Sequence, residues 1–151
     1  NDHTLAFVSS DGKTLAMQEA KEKKDNTVVV EDEENWEIKH VYSFDLKTKE
    51  TKRLTDNEYP VSSYEVSKNG KWVVASLTMS RHYAADAQPD PEIHLYNLDN
   101  GTSQKILNGK QTPYNFQFAD NSQGFYFCAV SSSDPKWNGA GISDLSYFDV
   151  V

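Results

Sequence analysis

The chain has 151 residues, a formal net charge of −8 and 37% hydrophobic residues. The negative charge argues against nucleic acid as a partner, because phosphate binding needs a basic surface. The single cysteine, Cys128, excludes an internal disulfide. No apolar run reaches the roughly 18 residues of a membrane-spanning segment.

Short segments rich in β-branched and aromatic residues alternate with turns of Asn, Asp and Gly, which is the pattern of half-buried strands. In the first third of the chain, this pattern predicts strands at 6–9, 14–17, 41–45 and 51–54, with the first two joined by a turn at Asp11-Gly12. The segment 19–24 is charged but has no apolar stripe. We therefore predict no helix of ordinary length in this chain.

The middle third contains predicted strands at 61–67, 72–79, 92–97 and 103–107. Asn69-Gly70 and Asn100-Gly101 predict type I′ hairpin turns, which need positive φ at two successive residues. The last third contains predicted strands at 113–118, 124–130 and 145–151, and its fourth strand is missing.

The strands repeat at a fixed interval. Phe44, Tyr96 and Phe148 are spaced 52 residues apart, within similar segments at 41–45, 93–97 and 145–149. Such a period is typical of arrays whose units bury their apolar faces against one another. A β-sandwich would show short strands but not a constant sequence offset. We therefore predict an all-β fold, a partial β-propeller of about three four-stranded antiparallel blades with the last incomplete.

The predicted blades are 1–57, 58–109 and 110–151. The chain starts at Asn1 without a methionine and stops at Val151 within a repeat, so we expect a piece of a longer protein. Its compartment, whether periplasmic, secreted or cytoplasmic, is left open. Unpaired edges at both ends of a partial array predict self-association through those edges.

Two hairpins resemble those of TolB-like propellers, which carry WD-type repeats. The segment 44–55 (FDLKTKETKRLT) is similar to their aromatic-x-Asp-Leu-x-Thr-Gly-Glu-x-x-x-Leu-Thr hairpin, and 66–75 (VSKNGKWVVA) to their Phe-Ser-Pro-Asp-Gly-Lys hairpin. The segment 8–16 is a second copy of the latter. Lys68 stands where proline is usual, and Lys49 and Ser122 stand where glycine is usual.

These hairpins are shared by TolB, by tricorn-type proteases and by propeller domains of the prolyl oligopeptidase family of serine peptidases. The segment 28–42 is similar to acylaminoacyl- and dipeptidyl-peptidase-like members. The resemblance implies a propeller that caps an α/β-hydrolase domain and filters peptide substrates by size. The partners it implies are a peptide substrate or that adjoining domain. The alternative is a TolB-like binding or scaffolding propeller without an enzyme.

The chain itself lacks the Gly-x-Ser-x-Gly pentapeptide that exposes a nucleophilic serine on a strand-to-helix turn. We therefore assign no catalytic residue and expect no hydrolysis by this chain alone, although a serine peptidase parent is expected. Phosphate-binding loops, CxxC pairs and Asp-x-Asp-x-Asp-Gly loops are also missing from the sequence. No cofactor and no metal are predicted.

Three long connections, at 18–40, 80–91 and 131–144, are predicted to join the second and third strands of each blade on one face of the array. Long loops held between rigid strands are where binding sites are usually built. The candidate contact residues for substrate or partner are Glu33, Glu34, Trp36, Arg81, His82, Tyr83 and Trp137.

Each candidate has a simpler alternative. The resemblance implies that Glu33 and Glu34 grip a substrate amine, as a glutamate pair does in dipeptidyl peptidases; the alternative is a solvated acidic loop. Arg81 could pair with a carboxylate and His82 could titrate near neutral pH, or both belong to a plain surface loop. Trp137 could stack on a ligand or a neighbouring domain, or pack over the adjacent blade.

Overall fold

The computed structural model describes residues 3–12, 15–24, 37–80, 86, 89–108, 111–131 and 141–150. In these residues, strands form three antiparallel sheets. Sheet 1 contains β1 (Thr4–Ser10), β2 (Lys39–Asp45) and β3 (Thr51–Arg53); sheet 2 contains β4 (Val61–Val66), β5 (Trp72–Leu77), β6 (Glu92–Asn97) and β7 (Thr102–Ile106); sheet 3 contains β8 (Gln111–Phe118), β9 (Gly124–Ser131) and β10 (Ile142–Asp149). One helix, α1 (Leu15–Glu22), lies between β1 and β2.

The 52-residue repeat is a repeat of structure. Phe44, Tyr96 and Phe148 lie on β2, β6 and β10 at equivalent register positions. Their partners on the preceding strand are Leu5, Val73 and Phe125. Sheet 2 has all four strands of a blade in the order β4-β5-β6-β7, and the three described strands of sheet 3 match its first three.

The same register corrects the prediction for the first strand. Because β1 pairs with β2 as β5 pairs with β6, β1 is the second strand of its blade and not the first. Sheet 1 therefore holds the second, third and fourth positions, and its long connection runs from 11 to 38. The predicted hairpin at Asp11-Gly12 is wrong, because β1 pairs with β2, which begins only at Lys39.

The strand predicted at 14–17 and the expectation of no helix are also wrong, since α1 occupies Leu15–Glu22. The charges of this segment suit a short surface helix. Glu19 and Lys23 form an i,i+4 ion pair at 3.5 Å, and Lys21 lies in the last turn, where a cation interacts favourably with the helix dipole.

The turns differ from the predicted type I′. Gly70 (φ 70°) and Gly101 (φ 73°) have positive φ, but the asparagines that precede them do not. Gly70 N–H donates to the Ser67 carbonyl and Gly101 N–H to the Asn97 carbonyl, both at 2.9 Å. Each turn thus needs one left-handed residue. Two equivalent positions are filled without glycine, by Lys49 (φ 63°) and Ser122 (φ 57°).

Sheet 2 lies between the other two sheets, and alternate residues of its strands pack in opposite directions. Val74 and Leu95 pack with Phe125 and Phe127 of sheet 3. Val73, Ala75, Leu77 and Tyr96 pack with Val41 of sheet 1. Both faces of sheet 2 are therefore covered, which explains why β5 is buried continuously from Val73 to Leu77.

Sheets 2 and 3 also touch through their short turns. Asn69 N–H donates to the Ser122 hydroxyl at 3.2 Å, and Lys68 forms an ion pair with Asp120. Three sheets stacked face to face without closing into a ring form an all-β partial β-propeller, as predicted. The blade boundaries 1–57, 58–109 and 110–151 remain a prediction. Among the described residues, no helix has the length and apolarity needed to cross a membrane.

Candidate functional site

The seven candidate contact residues all lie outside the described residues, so their roles remain predictions. They are Glu33, Glu34, Trp36, Arg81, His82, Tyr83 and Trp137. The described residues show instead how the connections that carry them are held at their bases.

The first connection begins at Asp11, whose carboxylate is bound by side chains of sheet 1. The Tyr42 hydroxyl donates to Asp11 Oδ1, and Arg53 Nη1 donates to Asp11 Oδ2 at 2.9 Å. His40 Nε2 lies 3.6 Å from the same Oδ2. These four residues are called the Asp11 cluster below. They tie the start of the connection to β2 and β3.

The electrostatics of the Asp11 cluster follow from these contacts. The hydrogen bond from Tyr42 lowers the pKa of Asp11, and the charges of His40 and Arg53 act in the same direction against the effect of burial. Burial raises the pKa of Tyr42, and its bond to Asp11 adds to the rise. At neutral pH, the cluster therefore holds a carboxylate against a neutral phenol and a guanidinium.

The end of the same connection is held by buried polar side chains. The Asn57 amide donates to the carbonyls of Lys39 (2.9 Å) and Tyr59 (2.7 Å). The Asn57 Oδ1 accepts from the Thr55 hydroxyl at 2.7 Å and lies 3.0 Å from His40 Nδ1. Because this oxygen can only accept, His40 Nδ1 carries a proton. The link from sheet 1 to sheet 2 is thereby bound to the start of β2.

The second connection is bound in a similar way. The Ser80 hydroxyl donates to Asp86 Oδ2 at 2.5 Å, within the connection itself. The Thr112 hydroxyl, at the start of β8, donates to Asp90 Oδ1 at 3.2 Å. The bond from Thr112 to Asp90 thus joins the long connection of sheet 2 to the beginning of sheet 3. The bond from Asn57 to Lys39 is similar, because it joins the long connection of sheet 1 to the link that leads to sheet 2. Long connections and inter-sheet links therefore share one end of the sheets.

Glu92 begins β6 directly after the second connection. Its carboxylate lies 2.5 Å from Lys105 Nζ and 3.2 Å from His94 Nε2. The hydrogen bond from Lys105 lowers the pKa of Glu92 most, and His94 adds to it. In sheet 3, Tyr114 and Ser143 share a hydrogen bond beside the start of β10. Glu92 and Ser143, which follow the second and third connections, are thus each hydrogen-bonded within their own sheet.

A cleft of about 190 Å³ opens between sheets 1 and 2. Its walls are the end of β3 with the residues that follow and the β6–β7 hairpin: Arg53, Leu54, Thr55, Asp56, Tyr96, Asn97, Gly101, Thr102 and Ser103. Arg53 Nη2 donates to Asp56 Oδ1 at 2.5 Å. Burial raises the pKa of Tyr96 to about 12, with a contribution from the charge of Asp56. Because sites for small molecules usually span about 300–1,000 Å³, this cleft suits a few waters or one side chain.

Sequence reasoning missed the Asp11 cluster and the cleft. The local pattern did not indicate the cluster, because Asp11 lies 31 residues before Tyr42 and 42 residues before Arg53. No group of three or more His, Cys, Asp or Glu side chains among the described residues is arranged to hold a metal ion.

No protein-family model matches this chain, and no curated protein matches it either. Solved structures do. The chain is similar to a prolyl endopeptidase, studied for inter-domain dynamics in catalysis and specificity, with a TM-score of 0.54, 16% identity and coverage of 75% of this chain and 17% of that one. It is similar to TolB from Acinetobacter baumannii, with a TM-score of 0.54, 13% identity and coverage of 98% and 27%. A putative TolB from Agrobacterium tumefaciens has a TM-score of 0.51, 13% identity and coverage of 75% and 38%.

At these identities, the likeness shows the fold alone: a β-propeller of the kind found in prolyl endopeptidase and TolB. The chain spans 17%, 27% and 38% of the lengths of these three structures.

Proposed function

We propose that this chain is a non-catalytic part of the propeller of a serine oligopeptidase-like hydrolase. In this role, it gates or positions peptide substrates for an α/β-hydrolase domain of the parent protein. The observation that carries the proposal is the arrangement of the long connections. These connections join strands of sheets that pack face to face. Their described ends are hydrogen-bonded by the Asp11 cluster, Asn57 and Asp90.

This arrangement suits substrate positioning because binding residues are usually carried by loops that a scaffold of strands positions. The fold is also that of a prolyl endopeptidase propeller.

The test is made on the full-length gene product, with the 151-residue chain as control. A fluorophosphonate probe, which reacts with activated serines, is expected to label the full-length protein and to leave the chain unlabelled. Glu33→Gln and Glu34→Gln in the full-length protein are expected to raise KM about tenfold to a hundredfold for peptides with a free amino terminus, since each removes a charge-assisted hydrogen bond. N-acetylated peptides should show no change.

Glu19→Gln is the matched control, because Glu19 is an exposed glutamate of α1 in the same connection and pairs only weakly with Lys23. An unlabelled full-length protein would refute the peptidase proposal. An equal rise of KM for free and acetylated peptides would refute the role of the glutamate pair.

A TolB-like binding or scaffolding propeller is the second candidate. It is favoured by the match to TolB, which covers 98% of this chain against 75% for the prolyl endopeptidase. A full-length protein that contains propeller repeats, has no Gly-x-Ser-x-Gly segment and does not react with the probe would support this candidate.

A further inference from the structure

The cleft between sheets 1 and 2 is lined by a buried tyrosine whose hydroxyl has no partner. Tyr96 is only 4% exposed, and its hydroxyl makes no hydrogen bond to any described residue. In the described part of the chain, every side-chain nitrogen or oxygen that is sealed from solvent does have a hydrogen-bond partner. The Tyr96 hydroxyl is therefore not sealed, and the cleft gives it access to a ligand.

The repeat shows that the packing of the sheets does not require this hydroxyl. The equivalent positions on β2 and β10 are Phe44 and Phe148, which have the same ring without the hydroxyl. The cleft is also not a result of where the chain begins and ends. Its walls belong to two consecutive sheets, so further blades of a longer propeller, stacked beyond sheet 1 or sheet 3, would not cover it.

The charges around the cleft favour a cation. Arg53 is the basic residue of its walls, and its guanidinium donates to two carboxylates, at Asp11 Oδ2 (2.9 Å) and at Asp56 Oδ1 (2.5 Å). Two carboxylates therefore share one guanidinium, which leaves negative charge in excess. The Asp56 side chain is 93% exposed, and its second oxygen accepts from no described residue, so this oxygen is free to bind a ligand.

The chemistry of a suitable ligand follows from Tyr96 and Asp56. Burial raises the pKa of Tyr96 to about 12, with a contribution from the charge of Asp56, so the phenol keeps its proton at neutral pH. The phenol oxygen and the carboxylate oxygen both accept hydrogen bonds, and a guanidinium or an ammonium group has N–H donors for both. A volume of about 190 Å³ holds one long side chain but not a larger molecule.

We propose that this cleft binds the arginine or lysine side chain of a peptide, with its cationic group between Tyr96 and Asp56. Arg53 belongs both to the cleft wall and to the Asp11 cluster, so the cleft lies beside the base of the first connection. The inference deepens the proposed function, on which it rests for the source of the peptide, because it names a class of residue in the peptides that the propeller positions.

The experiment titrates the isotope-labelled 151-residue chain with N-acetyl-arginine amide and follows the backbone amides by NMR. A parallel titration uses N-acetyl-citrulline amide, which has nearly the same shape and no charge. The amide signals of Asn97, Thr102 and Ser103, which line the cleft, are expected to shift to saturation with the arginine probe. The citrulline probe should bind at least about fivefold more weakly, because it lacks the charge that strengthens the hydrogen bond to a carboxylate.

Two variants test the two proposed contacts. Tyr96→Phe should raise the Kd of the arginine probe about threefold to tenfold, since it removes one hydrogen bond, and it keeps the fold because phenylalanine occupies the equivalent positions. Asp56→Asn should raise the Kd at least about threefold. Asp99→Asn is the matched control, because Asp99 is an exposed aspartate of the β6–β7 hairpin that pairs with Lys71 and does not line the cleft.

Three results would overturn the inference. They are an arginine probe that does not shift the cleft signals to saturation, equal binding of the citrulline probe, and a Kd that Tyr96→Phe leaves unchanged. Equal weakening by Asp99→Asn and Asp56→Asn would show a general effect of charge and would overturn it as well. Because the titration does not depend on hydrolysis, binding of the arginine probe would stand even if the full-length protein were not labelled by the fluorophosphonate, and that result would refute the peptidase proposal alone.

Discussion

Phe125 is the residue whose truncation should damage this fold most. It is fully buried at the contact of sheets 2 and 3. Its ring lies between 5.3 and 6.1 Å from the rings of Phe148, Phe118, Phe116 and Phe127. Phe125→Ala removes the ring at the centre of this group and leaves a cavity. The surrounding strands cannot move to fill it, because backbone hydrogen bonds between paired strands hold them in place.

The cost of Phe125→Ala is expected near 4 kcal/mol, within the range of about 3–5 kcal/mol for truncating a buried phenylalanine. Stabilities of domains lie near 5–15 kcal/mol, so the variant would lose a large share of the total. With an m-value of about 2 kcal/mol/M, the urea midpoint should fall by about 2 M. The assay is urea unfolding followed by far-ultraviolet circular dichroism.

Tyr126→Ala is the matched control, since Tyr126 is the neighbouring aromatic residue on the opposite face of β9 and is 45% exposed. It should cost about 1 kcal/mol or less, because a half-exposed side chain buries less apolar area and can be removed without a sealed cavity. If the two substitutions cost the same, the stacked sheets described above are not the core of this protein.

Three further outcomes are expected. Lys49→Gly should raise the free energy of unfolding by about 0.5–1 kcal/mol, because relief of a left-handed φ of 63° outweighs the added freedom of the unfolded chain, and a lower melting temperature would contradict this. Asp11→Asn should lower the free energy of unfolding at neutral pH. The hydrogen bond from Tyr42 lowers the pKa of Asp11, so the stability that the carboxylate contributes is present above the ordinary value of 3.8 and is lost as pH falls through the lowered pKa. At that low pH, the unfolding curves of the variant and the parent should converge. Asn57→Ala should cost about 3 kcal/mol by urea unfolding, since it removes the acceptor of His40 Nδ1 and the donor to two backbone carbonyls in a largely buried site, and a cost below about 1 kcal/mol would show that water replaces the amide.

Local pattern was sufficient for most of the strands. From 61 onward, the predicted and observed strands agree within about two or three residues, as at β6, where both span Glu92–Asn97. The reason is that β-branched and aromatic residues alternate there between glycine-containing turns, and each strand pairs with the next strand in the chain. Strands that follow one another in the sequence are then paired in the sheet, so a local pattern of residues is enough to predict them.

The first unit shows where that reasoning stops. Asp11-Gly12 has the sequence of a hairpin turn, yet Asp11 begins a long connection and binds Arg53 and Tyr42, which come from 31 or more residues away. Residues 15–22 form a helix although the charged segment 19–24 has no apolar stripe. The candidate residues of the long connections stay predictions, because they lie outside the described residues.

The sequence by itself determined that this protein is a series of like sheets, because a 52-residue repeat of alternating aromatic and aliphatic residues can bury its apolar positions only against copies of itself. Only the tertiary structure decided that β1 is the second strand of its blade and that the Asp11 cluster binds the start of the first connection to β2 and β3. The partner of β1 and the ion pairs of Asp11 depend on free energies summed over contacts between distant residues, and a local pattern of residues does not contain those contacts.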